Sequence, residues 1–408
     1  MALTKPDPIK PTWTVLMADA LIIAVRSGVD CCRVSDPLNG SKEPAMTRRE
    51  FVGKGTLTAG AAILGPGGAG ARGVDRSKIL NYNPKMEYRR LGKTGLMVSA
   101  VCLGGHWKRL GVMMPGPFKG EGYNKEDFDN VNNPEFLKNR HEIISHAIDC
   151  GINYVDACAG PEILAYSKVL KGRRQKMYLG YSWHVRESRY KEYQTAAALL
   201  RGLEEGMREA GLDYVDLWRI SLPMDRLTSL AEVLRVEEGA AEALAKAKKQ
   251  GKARFTGVST HNRTWLASLI RQYPEQIEVV LFPYTAASKE LPEDSLFDVV
   301  RQFDVGVFGI KPFADNSLFV GDSSPTNPHA EADDRRARLA IRYILANPAI
   351  TAPIPGVINR HQIDNLVLAV QERRRLDLKG KAELEAAGRR MWANLRPGYG
   401  WLRAWQYV

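Results

Sequence analysis

HEIISHAIDCGINYVDACAG, residues 141–160, contains two periods in succession. Ile143, Ile144, Ala147 and Ile148 fall at three- and four-residue steps, the spacing of a helix with one buried face. Gly151 ends that pattern, and NYVDAC (153–158) follows as a short apolar run of the kind that forms a parallel strand covered on both sides. The alternation recurs. Strand-like runs are SAVCLGG (99–105), KMYLGYS (176–182), YVDLWRIS (214–221), ARFTGVST (253–260), EVVLFPY (278–284), VGVFGIKPF (305–313) and AITAPIPG (349–356). Helical patterns include 195–211 and 239–251. Strands alternating with helices imply βα units, and eight of them close into an α/β fold of the (β/α)8 TIM-barrel type.

Composition agrees with one large domain plus extensions. The 408 residues are 44% hydrophobic and 25% charged, with a net charge of +12. The basic runs 171–176, 245–254, 333–338 and 372–381 suit solvated helix faces and C-terminal ends. They match no nucleic-acid-binding motif, and no such partner is expected. Among the five cysteines there is no CxxC or zinc-ligand spacing, and Cys102, Cys150 and Cys158 read as small buried hydrophobes. The apolar run 14–25 is too short for a stable membrane span and contains Asp19.

In barrels of this type chemistry collects at the C-terminal strand ends, here His106, Asp156, Ser182, His184, Ser221, His261, Tyr284, Lys311 and Gly356. His106, Asp156, His184 and His261 are a candidate set of metal ligands, although no two share a short motif. Residues 106–139 read as a long loop, a lid or collar at the barrel mouth. The aromatic tail 391–408 is expected to pack over a barrel opening. In PIPGVINRHQIDN (353–365) a Gly-containing turn enters a helix start whose free N–H groups suit an anion.

The blocks YRRLGKTGLMVSAVCLGG (88–105), HAIDCGINYVDACAG (146–160), GLDYVDLWRI (211–220), GKARFTGVSTHN (251–262), FGIKPFA (308–314) and ITAPIPGVINRHQIDNL (350–366) together resemble the aldo/keto reductase family. The resemblance implies hydride transfer between NADP or NAD and a small-molecule carbonyl substrate. A tyrosine donates the proton, a lysine and an aspartate tune it, and a histidine orients the carbonyl. It assigns the aspartate to Asp156, and puts Ala159, Ser182 and Ser221 where the Tyr, Lys and His would stand. Tyr166, Tyr181 and His184 are the candidates for substitutes. For the cofactor it implies Ser259 at the carboxamide, with Thr260 in place of the usual Asn, and Tyr284 stacking on the nicotinamide, with Leu281 in place of a Gln. It implies Lys311 and the Gly356 turn at phosphate, and Arg360, Gln362 and Asn365 at the adenosine end.

MTRREFVGKGTLTAGAAILGPGGAGA (46–71) resembles a twin-arginine export signal, with Arg48–Arg49 before a weakly apolar Gly/Ala stretch and a small-residue cleavage site at 69–71. It implies the twin-arginine translocation machinery as a partner and a periplasmic location, with any nucleotide bound before export. The expected organisation is a doubtful extension (1–45), with translation starting at Met46, then a signal peptide (46–71), a barrel (82–375) and a helical, aromatic tail (376–408). The function expected is an exported nicotinamide-dependent oxidoreductase with an altered active site. The alternative is a catalytically silent barrel that binds a ligand or a protein.

Overall fold

A computed structural model describes residues 75–116, 127–223, 227–372 and 374–408. The extension, the expected export signal and its cleavage site lie outside these residues. Strand β1 (Tyr88–Arg90) pairs antiparallel with β2 (Met97–Ser99). Eight strands then run parallel in chain order: β3 (Leu103–Gly104), β4 (Tyr154–Ala157), β5 (Tyr178–Tyr181), β6 (Val215–Ser221), β7 (Ala253–Ser259), β8 (Val279–Pro283), β9 (Gly306–Ile310) and β10 (Ala352–Ile354). A parallel bridge between Gly104 and Gly356 joins the first of these to the last, which closes the barrel. The approach is prohibitive for a side chain at Gly356 and tight at Gly104. A Cβ on Gly356 would sit 2.3 Å from the His106 carbonyl oxygen, and one on Gly104 would sit 3.1 Å from Ile354.

All eight strands coincide with the runs read from the sequence, because continuous apolar runs between turn residues have few other solutions. Helix starts differ, and the reason is capping. The helix expected from residue 141 begins at Pro134 and runs to Asp149, since the Asn133 side chain accepts from the N–H groups of Glu135 and Phe136 with proline at the first turn. The helix expected from Gly239 spans Leu230–Lys249, because Ser229 caps Glu232 N–H while Glu232 reaches back to Thr228. Gly239 lies inside that helix, where a Cβ would come within 2.9 Å of the Gln194 carbonyl. The region read as one long loop contains the short helices Leu110–Met113 and Asp127–Asn130 before Pro134.

Inside the barrel Cys102, Tyr154, Leu217, Val279, Leu281, Phe308 and Ala352 form one apolar cluster, with Tyr154 stacked on Phe308 at 4.3 Å. Leu91 and Val98 from the β1–β2 hairpin join it. The hairpin plugs the N-terminal end of the strands, where Leu91 meets Gly306 at the start of β9. The interior is therefore solid at one end and can open only at the other. No helix among the described residues is long and apolar enough to cross a membrane.

The tail folds back on the C-terminal end of the strands. After the helix Leu378–Ala393 comes the short helix Gly400–Trp405, in which Trp405 is buried, stacks on Phe282 of β8 at 5.4 Å and donates Nε1–H to the His261 carbonyl at 3.1 Å. Main-chain bonds from Lys289 and Leu291 to Gln406 and Val408 complete the dock. Trp405→Ala is expected to remove about 3–5 kcal/mol of stability, measured by urea unfolding, and to release the tail to proteolysis.

Candidate active site

At the C-terminal strand ends lies a cavity of about 500 Å³. Its floor is an ion pair. Arg219 of β6 grips Asp156 of β4 with two bonds, Nε to Oδ1 at 3.0 Å and Nη2 to Oδ2 at 2.5 Å, and donates a third from Nη1 to Ser259 Oγ at 3.2 Å. The two side chains are 5% and 6% exposed. Burial alone would weaken the guanidinium, but the adjacent Asp156 holds it more firmly charged than usual. The Tyr154 hydroxyl lies 3.4 Å from Asp156 Oδ1, but burial holds its acidity far below that of a free phenol, and its ring belongs to the core. Both oxygens of Asp156 are therefore committed to Arg219.

One wall carries a second constellation. Cys158, two residues past Asp156, lines the cavity with its Sγ 3.5 Å from His106 Nε2 and 3.7 Å from Nδ1. His106 Nδ1 lies 2.5 Å from Glu162 Oε1, and Glu162 Oε2 accepts the Cys158 N–H at 2.7 Å. Glu162 is fully buried on the helix Gly160–Val169. It reaches His106 because Gly105 has no side chain, since a Cβ there would sit 2.3 Å from the carboxylate. Burial would pull the His106 imidazole down, but the charges of Cys158 and Glu162 outweigh it and push it up to about 10. His184 donates Nδ1–H to the Cys158 carbonyl at 2.7 Å, and burial keeps its ring neutral. The sequence reading took Cys158 for a buried hydrophobe. It is instead partly accessible and faces the cavity, while Cys102 is fully buried.

The positions that the resemblance assigns to Tyr, Lys and His fall as follows. Ala159 is buried and begins the helix Gly160–Val169. Ser182 is buried and donates to Glu187 Oε2 at 2.7 Å, which also accepts the Ser221 N–H at 2.7 Å. Ser221 lines the cavity. Of the candidate substitutes, Tyr166 donates to the Gly104 carbonyl at 2.7 Å and Tyr181 packs against Gly206, so neither lines the cavity. Glu187 was not singled out in the sequence. Its one signal is a lone acid after a strand end, and here burial lifts it from 4.5 to about 7 despite the bonds from Ser182 and Ser221.

Of the residues expected at the cofactor, Ser259, Lys311, Gly356 and Gln362 line the cavity. Tyr284 does not, because its ring packs on Phe297 at 5.6 Å. Arg360 is exposed and reaches His146, and Asn365 is held by Arg338 at 2.7 Å and by the Asp334 carbonyl at 3.0 Å. Lys311 adopts φ 57° and burial weakens its ammonium; Nζ lies 5.6 Å from the Trp401 ring. Lys108, Arg109 and Arg189 add positive charge to the lining, with Asp315 held by Lys108 at 3.1 Å and by Arg396 at 3.2 Å. The four candidate metal ligands do not form one set. Asp156 is taken by Arg219, and His261 stacks on Trp401 at 3.7 Å with its ring value lowered to about 3 by burial and by Lys311.

Breaking the floor pair should be severe. Arg219→Met leaves Asp156 charged and buried, costing about 3–5 kcal/mol, whereas Asp156→Leu/Arg219→Met should recover most of that loss; urea unfolding of the three proteins checks this. Glu187 supplies a pH signature. Its folded value exceeds the unfolded one, so the native state binds the extra proton between 4.5 and about 7. Stability should then fall as pH rises through that window, and Glu187→Gln should flatten the slope between about pH 5 and about pH 8.

The model of the aldo/keto reductase family matches residues 127–338. L-galactose dehydrogenase of Arabidopsis thaliana is 25% identical over 327 residues, covering 74% of this chain and 94% of that protein. L-glyceraldehyde 3-phosphate reductase of Escherichia coli K12 is 24% identical over 249 residues, covering 57% of this chain and 63% of that protein. An aldo-keto reductase of Bacillus halodurans in its holo form superposes with a TM-score of 0.51 at 21% identity, covering 74% of this chain and 96% of that one, and shares the fold. With the family match running from before β4 to beyond β9, the chain belongs to the aldo/keto reductase family of oxidoreductases.

Proposed function

We propose that this protein is an exported, nicotinamide-nucleotide-dependent oxidoreductase that acts on a carbonyl compound of the sugar type through an altered active site. The observation that carries the altered site is the Asp156–Arg219 pair. In the family scheme Asp156 supports a tyrosine and a lysine; here both its oxygens accept from an arginine, and neither Tyr166 nor Tyr181 lines the cavity, whose tyrosine, Tyr399, comes from the tail. A proton source is still required to complete carbonyl reduction. The His106–Glu162 couple meets that need, because it is held protonated at a wall of the same cavity. The substrate class rests on the two named relatives, one acting on galactose and one on glyceraldehyde 3-phosphate.

The residues fit a nicotinamide nucleotide at its phosphate end. Lys311, the Gly356 turn and Gln362 would hold phosphate, with Arg109 and Lys108 adding charge. Ser259 would take the carboxamide, in competition with its bond from Arg219. When bound, the nucleotide supplies or accepts the hydride. Tyr399 and Trp401 of the tail line the cavity, with Trp401 stacked on His261.

Titration of the protein with NADPH and with NADH, followed by calorimetry, tests the reading. Saturable binding is expected, weakened about tenfold to a hundredfold in Lys311→Ala by loss of a charged donor. Absence of binding by either nucleotide would overturn it. For export, replacing Arg48 and Arg49 by lysine should leave the protein in the cytoplasmic fraction of a bacterial host, while the unaltered chain is recovered from the periplasm.

A further inference from the structure

We propose that Cys158 is a covalent nucleophile, and that its sulfur, with its proton resting on His106, adds to the carbonyl carbon of an aldehyde held in the cavity. The arrangement is a nucleophile, a base and an orienting acid in series. Sγ lies 3.5 Å from His106 Nε2, and the opposite ring nitrogen lies 2.5 Å from Glu162. Glu162 also fixes the nucleophile's backbone through the Cys158 N–H, so one buried carboxylate sets both partners. Sγ lies nearly as close to Nδ1, at 3.7 Å, as to Nε2, so the ring must turn to aim Nε2 at the sulfur, and such contacts are commonly poorly aligned before substrate binds.

A contrasting cluster shows why this geometry matters. Cys150 Sγ lies 3.8 Å from His146 Nε2, but that same nitrogen faces Asp364 at 2.5 Å. One nitrogen cannot both orient on an acid and receive a thiol proton, and the cluster sits away from the cavity. At His106 the nitrogen that does not face Glu162 is within 3.5 Å of Sγ, and Cys158 opens on the cavity. The ligand atoms of the same three side chains also lie within 4.8 Å of one another, so retained metal is the competing outcome of the test.

The step is balanced without an oxidant. The S–C bond forms as the carbonyl π pair moves to oxygen, and the proton on His106 Nε2 passes to that oxygen, giving a thiohemiacetal and leaving the imidazole neutral. The proposal takes only its substrate class from the oxidoreductase reading, and its test needs no nucleotide, so failure of one leaves the other standing.

The full chain is treated briefly with iodoacetamide and each cysteine is quantified by peptide mass mapping, with and without glyceraldehyde. Cys158 is expected to label faster than Cys150, and glyceraldehyde should slow Cys158 alone. His106→Gln should slow Cys158 labelling by roughly a hundredfold, with Glu162→Gln slowing it in the same direction while Cys150 is unchanged. Equal rates at Cys158 and Cys150, or no protection by glyceraldehyde, would overturn the proposal without recourse to any variant. So would stoichiometric zinc retained by the wild type and lost in Cys158→Ser.

Discussion

The buried pair between Asp156 and Arg219 is the constraint on which the upper half of the barrel depends. It joins β4 to β6 across β5, so three neighbouring strands are held in one register at the level where the apolar interior stops and the cavity starts. Below it Tyr154, Leu217 and Phe308 fill the barrel. Above it the cavity lining mixes charged and polar groups such as Lys311, His106 and Ser221 with apolar ones such as Ile310 and Ile354. A bidentate pair is one of few arrangements that can sit at such a boundary, because each charge is satisfied by the other at fixed geometry and the third donor of Arg219 is taken by Ser259. On the proposed reading the proton chemistry falls to other groups of the cavity.

Those groups are the product of a short connection. β4 leads into the helix Gly160–Val169 through Cys158 and Ala159 only. With so little chain, the first turn of the helix is drawn against the strand end, and Glu162 turns back toward Cys158 N–H and His106. The bare Gly105 provides the room. The result is one acid, one base and one thiol on a wall that faces several cations, in a cavity that the tail helps to line.

The barrel was legible because its signal is repeated. Eight apolar runs separated by helical periods constrain one another, and errors in helix starts at residues 134 and 230 do not move a strand. The site was less legible, because its key contacts join residues far apart in sequence. Arg219 was read as part of an apolar strand, although a lone arginine in a run alternating with Leu217 and Ser221 on one face must point inward and needs a carboxylate there. Glu162 gave no warning either, since an acid in the first turn of a helix is ordinary. Tyr284 and Asn365 fit a pattern of spacing, yet packing on Phe297 and bonds to Arg338 decide where they point.

Retention of a fold and retention of a mechanism are separable here for a physical reason. The barrel is set by its lower interior and its strand register, which tolerate any well-satisfied group at the C-terminal ends. A tyrosine–lysine–aspartate device needs three groups in mutual contact, whereas here Asp156 is engaged by a bidentate arginine and by the core hydroxyl of Tyr154. On the proposed reading, a histidine held protonated by a neighbouring acid meets the same need from a different strand end. That solution requires the acid to be buried, so that its charge is felt at close range, and Glu162 is fully buried. The proton chemistry of this cavity therefore follows from how the chain turns after β4 rather than from the strand ends alone.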